Sequence, residues 1–507
     1  MSPADGDDAS ERRPYQGMYD PLVAHNARFL NPTRDTRRAG DTFDTTIYVA
    51  DTLLFRDQPQ GDLINEFRSF LDKFEIPVGI AVSVHDVELW ERARGIESPF
   101  TATLLESWVT PVKLVVDARA ATVVDAWSLL QRFRTTIDPA RIHRIGLAHL
   151  LFADIRGATM TAGGTMTAGG TMTAGGTMTA GGGVRFQYAL PGLGGRTPVT
   201  YLGPAPRRPR LGHRAPVVVV LDTGVGRHDW LVQGVTVEAA PSEPAVLIGS
   251  EPEGAARQLA PLEGLLDDYA GHGTFIAGII RQRCPAAQLV MIKVMGADGF
   301  VPEDTMVRTI AAVAVDHLSG KRRIDALSMS FGYYHEEPSD SSTDATLIGP
   351  LTALAASGVA IFASAGNDAT TRPMYPAAFS SVINLVSVGA LNPNGTVALF
   401  SNSGSWVRTW DWGAQVLSTQ PTTFRGALQP AARTADDTAR KTRESLDPDD
   451  LRQGFATWSG TSFASPGVAG RFLTHLITDR AEGASFEQLA DPEAALKAVL
   501  DELAGQK

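Results

Sequence analysis

Val217-Val218-Val219-Val220-Leu221 is a run without a polar residue, mostly β-branched, that closes on Asp222-Thr223-Gly224. A stretch so short and so evenly apolar reads as a strand covered on both faces, as in the middle of a parallel sheet. Such a strand delivers the residue at its carboxyl end, here Asp222, to the edge where α/β proteins hold their ligands. The chain beyond residue 211 keeps to this plan. Predicted strands at 289–294, 326–330, 360–365 and 382–388 alternate with predicted helices that open at His272, run over 304–318 and 347–357, and open again at Ser462. The alternation implies a parallel sheet with helices on both faces.

Three polar side chains fall at strand edges or helix starts of this pattern. Asp222 ends the first strand. His272 lies in Gly271-His272-Gly273-Thr274, at the mouth of the apolar helix Phe275-Ile276-Ala277-Gly278-Ile279-Ile280, behind Asp267-Asp268-Tyr269-Ala270, which reads as a solvated acidic loop. Ser462 lies in Gly460-Thr461-Ser462-Phe463-Ala464-Ser465-Pro466, a loop that runs into a small-residue helix. Each has an ordinary reading by itself: a solvated strand-end acid, a neighbour of a helix cap, and an N-cap whose hydroxyl satisfies a free backbone N–H. Together they offer an acid, an imidazole and a hydroxyl in the chain order Asp, His, Ser. A serine nucleophile needs a base, and the base needs a group to orient it. A serine at a helix start also brings its own N–H and the positive helix end to a developing oxyanion.

With these three signatures in this order, the chain resembles the subtilisin-like serine proteases, the subtilases. The likeness covers roughly residues 215–475 and extends between the signatures. Val290-Met291-Ile292-Lys293-Val294-Met295-Gly296-Ala297-Asp298-Gly299 resembles one flank of the family's substrate cleft, Ala326-Leu327-Ser328-Met329-Ser330-Phe331-Gly332 the other, and Ala363-Ser364-Ala365-Gly366-Asn367 the oxyanion segment. The resemblance implies that Ser462 is the nucleophile, His272 its base and Asp222 the orienting acid, with Asn367 holding the oxyanion. It implies that a protein or peptide substrate pairs with Ser328, Met329, Ser330, Phe331 and Gly332 on one side and Gly296, Gly299 and Phe300 on the other, near Ala365 and Gly366. Phe275 and Ile276 depart from the family's frequent His-Val, and Gly467 stands where a histidine often follows Ser-Pro; neither position does chemistry. Tyr333 and Tyr334 follow Gly332 where small residues are common. The predicted activity is endopeptidase; the alternative is a catalytically silent or partner-activated peptide-binding protein on the same fold. No cofactor is expected, and no metal, since no acidic cluster has calcium-loop spacing.

Ahead of this region the character of the chain changes. Residues 1–45, rich in Asp, Arg and Pro, read as disordered. Residues 46–155 carry a second α/β pattern, with strands at 46–50, 77–84, 112–117 and 145–152 and helices at 63–71 and 123–133. This predicts a separate, smaller α/β domain whose place and size resemble an inhibitory prodomain. A retained regulatory domain, open to a regulatory partner, is the favoured form. Residues 156–210 form a connector that includes Thr-Met-Thr-Ala-Gly-Gly four times over 159–182; identical Gly-rich units cannot bury a core and read as a linker. The peptidase domain is then 211–507. A net charge of −11 argues against nucleic-acid binding. The single cysteine, Cys284, excludes an intramolecular disulfide and reads as a small buried side chain. The polar, acidic start Met1 to Arg13 has no apolar signal region, and no run is long enough to span a bilayer, so a cytoplasmic location without membrane contact is expected.

Overall fold

The computed structural model describes residues 21–33, 35, 43–116, 124–153, 195–240, 266–296, 298–337, 346–434, 443–481 and 483–505. The repeat and residues 1–20 lie outside them. The N-terminal unit runs β1 (Ala27–Leu30), β2 (Thr46–Phe55), α1 (Asp62–Lys73), β3 (Val78–Val82), α2 (Val84–Arg94), α3 (Thr101–Glu106), β4 (Thr110–Val116), α4 (Ala126–Arg134) and β5 (Ile145–Phe152). The larger unit opens with β6 (Thr197–Pro198), β7 (Val217–Asp222), β8 (Val235–Ala239), α5 (His272–Arg283), β9 (Gln288–Lys293), β10 (Phe300–Pro302) and α6 (Glu303–Leu318). It continues with β11 (Ala326–Met329), α7 (Ile348–Ala356), β12 (Ala360–Ser364), β13 (Leu385–Leu391), β14 (Thr409–Trp412) and β15 (Val416–Thr419). A short hairpin, β16 (Arg433–Thr434) and β17 (Arg443–Glu444), precedes β18 (Phe455–Trp458), α8 (Thr461–Thr478) and α9 (Pro492–Ala504). Among the described residues no helix is long and apolar enough to cross a membrane.

Seven strands form one sheet in the order β14-β13-β12-β11-β7-β9-β8, every pair parallel. The valine run explains why β7 lies inside it. Val219 and Leu221 enter the core on one face, with Met306, Ile310 and Leu351. Val218 and Val220 enter the core on the other, with Ile276, Phe463 and Phe472. Alternating side chains that are all apolar suit a strand covered on both sides.

The N-terminal unit has its own antiparallel sheet, β5-β2-β4-β3 with β1 on β2, backed by α1 and α4. In α1, Leu63, Ile64, Phe67, Phe70 and Leu71 are buried, a helical stripe that faces Phe55, Phe133 and Leu147. The far edge of this sheet is not free. β10 of the larger unit joins it antiparallel to β5, with Phe300 opposite Phe152 and Val301 opposite Leu151. The two units also share a core, in which Leu104, Trp108, Ala148, Leu151 and Ala153 meet Met306, Ile310, Phe331, Leu351 and Leu354. Helices α2 and α3, not foreseen from the sequence, make this contact. Arg308 of α6 reaches Asp86 of α2 at 2.9 Å, and Arg92 of α2 reaches Asp316 at 2.7 Å. In α2 the buried face carries Leu89 and Ala93 but begins with the charged Asp86, which interrupts the apolar stripe.

Phe67 touches Phe55, Phe70 and Phe133 with ring centroids 4.9–6.0 Å apart. Phe67→Ala should cost about 3–5 kcal/mol of the N-terminal unit's stability through the cavity it leaves. Denaturant unfolding followed by exchange at β2 and β5 would measure it.

Candidate active site

Asp222 ends β7 and His272 begins α5, and the sheet brings the two side chains together. His272 Nδ1 lies 2.8 Å from Asp222 Oδ1, with both residues wholly buried. The carboxylate can only accept, so the ring proton sits on Nδ1 and Nε2 is left as the basic nitrogen. Thr223 N–H donates to the same oxygen at 2.8 Å. Thr223 Oγ1 in turn accepts from Gly273 N–H at 2.9 Å, which ties the helix start to the strand end. A side chain at position 273 is excluded: a Cβ there would stand 2.1 Å from Gly224 O. Tyr269, Trp458 and Phe463 surround the imidazole, with ring centroids 5.3–6.0 Å away.

Ser462 is the second residue of α8, 1% exposed. Its hydroxyl donates to Ser330 O at 3.3 Å, and His272 Nε2 has no hydrogen-bond partner among the described residues. Pro466, four residues on, has no N–H to give Ser462 O. Ser330 Oγ fills the place, donating to that carbonyl at 3.0 Å. The sequence did not show this link between cleft and helix, because proline inside a helix reads only as a defect.

Asn367 follows β12 and Gly366, whose φ of +98° suits glycine. Its Oδ1 accepts from Thr461 N–H at 2.8 Å and Thr461 Oγ1 at 3.0 Å. Gly366 N–H donates to Thr461 Oγ1 at 3.0 Å, and Ala365 O accepts from Asn402 Nδ2 at 2.9 Å.

Of the expected peptide-pairing residues, Gly299, Phe300 and Gly332 form the two rails of a groove. The groove is filled. Phe152 N–H donates to Gly332 O and Gly332 N–H to Phe152 O, both at 3.0 Å, and Ala153 N–H donates to Gly299 O at 2.9 Å. Gly296 closes the turn below, its carbonyl accepting from Gly299 N–H at 3.1 Å. Ser330 and Phe331 are buried, Phe331 in the core shared by the two units. Ser328 and Met329 correct the expectation. They lie within β11, hydrogen-bonded between β7 and β12, so neither has a strand edge left for a peptide. Asp267 is also not solvated. It is 4% exposed, in a loop whose carbonyls at Asp267 and Ala270 accept from the Arg196 guanidinium. Tyr333 is buried against His149, and Tyr334 OH donates to Asp368 Oδ2 at 2.6 Å. Among the described residues, His149, His335 and Glu336 bring metal-ligand-type atoms within 4.8 Å of one another, but both ring nitrogens of His149 already face carboxylates.

His272, held by Asp222 at the carboxyl edge of a parallel sheet, packs against Phe463, the residue that follows Ser462 at the start of α8. The chain belongs to the subtilase family, whose model matches residues 213–498. It is 29% identical over 244 residues to the intracellular serine protease of Paenibacillus polymyxa, covering 45% of this chain and 60% of the relative. It is 28% identical over 213 residues to subtilisin BL of Lederbergia lenta, covering 40% and 66%. The chain thus spans less than two thirds of either relative. A crystal structure of a cold adapted subtilisin-like serine proteinase aligns over 52% of this chain and 76% of its own, with 22% identity and a TM-score of 0.34. At that score the likeness adds nothing to the strand order.

Gly273→Ala should push Gly224 and Asp222 away from His272 and lower the reactivity of Ser462 by about 100-fold or more. The rate of covalent labelling by a fluorophosphonate measures this.

Proposed function

We propose that this chain is a serine endopeptidase held in check by its N-terminal unit. The observation that carries the reading is the 2.8 Å contact of Asp222 with His272 in a subtilase whose Ser462 begins α8. Ser462 Oγ rotates from Ser330 O to His272 Nε2 and attacks the scissile carbonyl. His272 takes the hydroxyl proton and returns it to the leaving amine, and water then hydrolyses the acyl-enzyme by the same relay. Asp222 keeps the ring oriented and stabilises the imidazolium. The Asn367 amide nitrogen and the Ser462 N–H hold the oxyanion.

A substrate strand adds to the rails at Gly299 and Gly332, as extended peptides add to open sheet edges. β5 and Ala153 occupy those hydrogen bonds, so a peptide enters only when they leave; this supports inhibition by occupancy. The name of the Paenibacillus relative supports an intracellular setting for this chain.

Fluorophosphonate labelling of the full chain should vanish in Ser462→Ala. Absence of labelling in every variant would favour the silent peptide-binding protein. Asn367→Ala should lower kcat by ~100–1000-fold with little change in KM, the size found when a subtilisin loses such a donor. Leu151 is fully buried in the core shared by the two units. Leu151→Asp places an unpaired charge there and should raise the labelling rate about tenfold or more. An unchanged rate would remove β5 from the inhibition.

A further inference from the structure

β5 runs from Ile145 to Phe152, so a substrate strand that took its place in the same direction would lay its N-terminal part along it, and the third residue before Phe152 is His149. This residue is 1% exposed, and its side chain lies among residues of the larger unit. Its Nδ1 is 2.6 Å from Glu303 Oε2 and its Nε2 is 2.7 Å from Glu336 Oε2. Carboxylates on both ring nitrogens require both to carry protons, so the ring is an imidazolium. Tyr333 stacks on it at 4.3 Å between centroids and 21° between planes, and His335 lies 5.2 Å away. Burial alone would strip the proton from His149, but Glu303 and Glu336 outweigh it and lift the pKa to about 9.

The two carboxylates are not equivalent. Glu303 Oε2 also accepts the His149 backbone N–H at 3.0 Å, a bond any residue in this place could make. Its other oxygen is taken by Tyr333 OH and Thr346 Oγ1. Glu336 meets the His149 side chain but not its backbone, its Oε2 also lies 3.7 Å from His335 Nδ1, a nitrogen that accepts the Glu337 N–H, and its Oε1 is buried with no hydrogen-bond partner among the described residues. Remove His149 and the pocket holds two buried carboxylates, one with unused acceptor capacity, beside an aromatic face. Buried charges of one sign are stable only with a counter-charge.

We propose that Glu303, Glu336 and Tyr333 form a specificity subsite that selects substrates with a basic side chain three residues before the residue paired with Gly332. His149 fills this subsite while the N-terminal unit is docked, as an internal stand-in for the lysine, arginine or histidine of a substrate. The inference rests on the peptidase reading for its substrate class. The recognition itself is a property of the docked strand and can be tested without catalysis.

The test uses the full chain with Ser462→Ala, which cannot cut itself, and reads hydrogen exchange at the β5 amides. His149→Lys keeps the cation and should leave protection within about threefold of the parent, whereas the apolar His149→Leu should lose about tenfold or more. Glu336→Gln, which keeps the shape and drops the charge, should loosen the parent and tighten the His149→Leu chain. Equal protection in His149→Leu and the parent, or a Glu336→Gln effect of the same sign in both, overturns the subsite. In the active chain, peptides with lysine at this position should show kcat/KM about tenfold above the leucine counterpart, with the ratio near one in Glu303→Gln/Glu336→Gln. A ratio near one in the active chain with Glu303 and Glu336 intact also overturns it. If no variant cuts peptide or takes the fluorophosphonate, the peptidase reading fails alone, because the exchange comparison still decides the subsite.

Discussion

Every strand of the seven-stranded sheet except the two outermost is hydrogen-bonded on both sides, and its faces are covered by helices. Polar side chains can then be offered only where strands end. Asp222 at the end of β7, Asn367 just beyond β12 and the Ser330–Gly332 segment beyond β11 all stand on that rim. His272 and Ser462 enter it from the starts of α5 and α8. The 2.8 Å Asp222–His272 contact is therefore a product of sheet register as much as of the two side chains. The close approach at Gly273 shows how little slack the arrangement has.

The second constraint is the strand β5. It completes the N-terminal sheet and also fills the groove between Gly299 and Gly332, so one hydrogen-bonded edge serves both units. The shared core around Leu151 and the ionic contact at His149 act on the same eight-residue strand. Backbone pairing by itself is indifferent to sequence. The apolar and charged side chains give the docking its register, since a slip by one residue would turn His149 away from its carboxylates.

The sequence made the peptidase sheet legible because apolar runs, glycines and the three polar residues all recur at strand edges and helix starts. The bounds of β5, 145–152, were likewise clear from its continuous apolar run. Its partner was not, because pairing between Phe152 and Gly332 depends on contacts far apart in the chain. The same distance hid the His149 pocket: Glu303 looks like an ordinary acid in a helix's first turn, and Glu336 like part of a solvated pair with Glu337. Ser328 and Met329 were misplaced for a different reason. A strand that ends at a cleft shows its direction in sequence, but not the residue at which its neighbours stop.

The joint between β5 and β10 also bears on how the molecule comes to be made. Glu303 follows His149 by 154 positions, so the N-terminal sheet emerges from the ribosome with its β5 edge unpaired and with Leu151 and Ala153 uncovered. That edge is open to other strands until the segment around Phe300 has been synthesised. The N-terminal unit is thus translated first but completed late, and its last strand waits for the very groove that it will occupy.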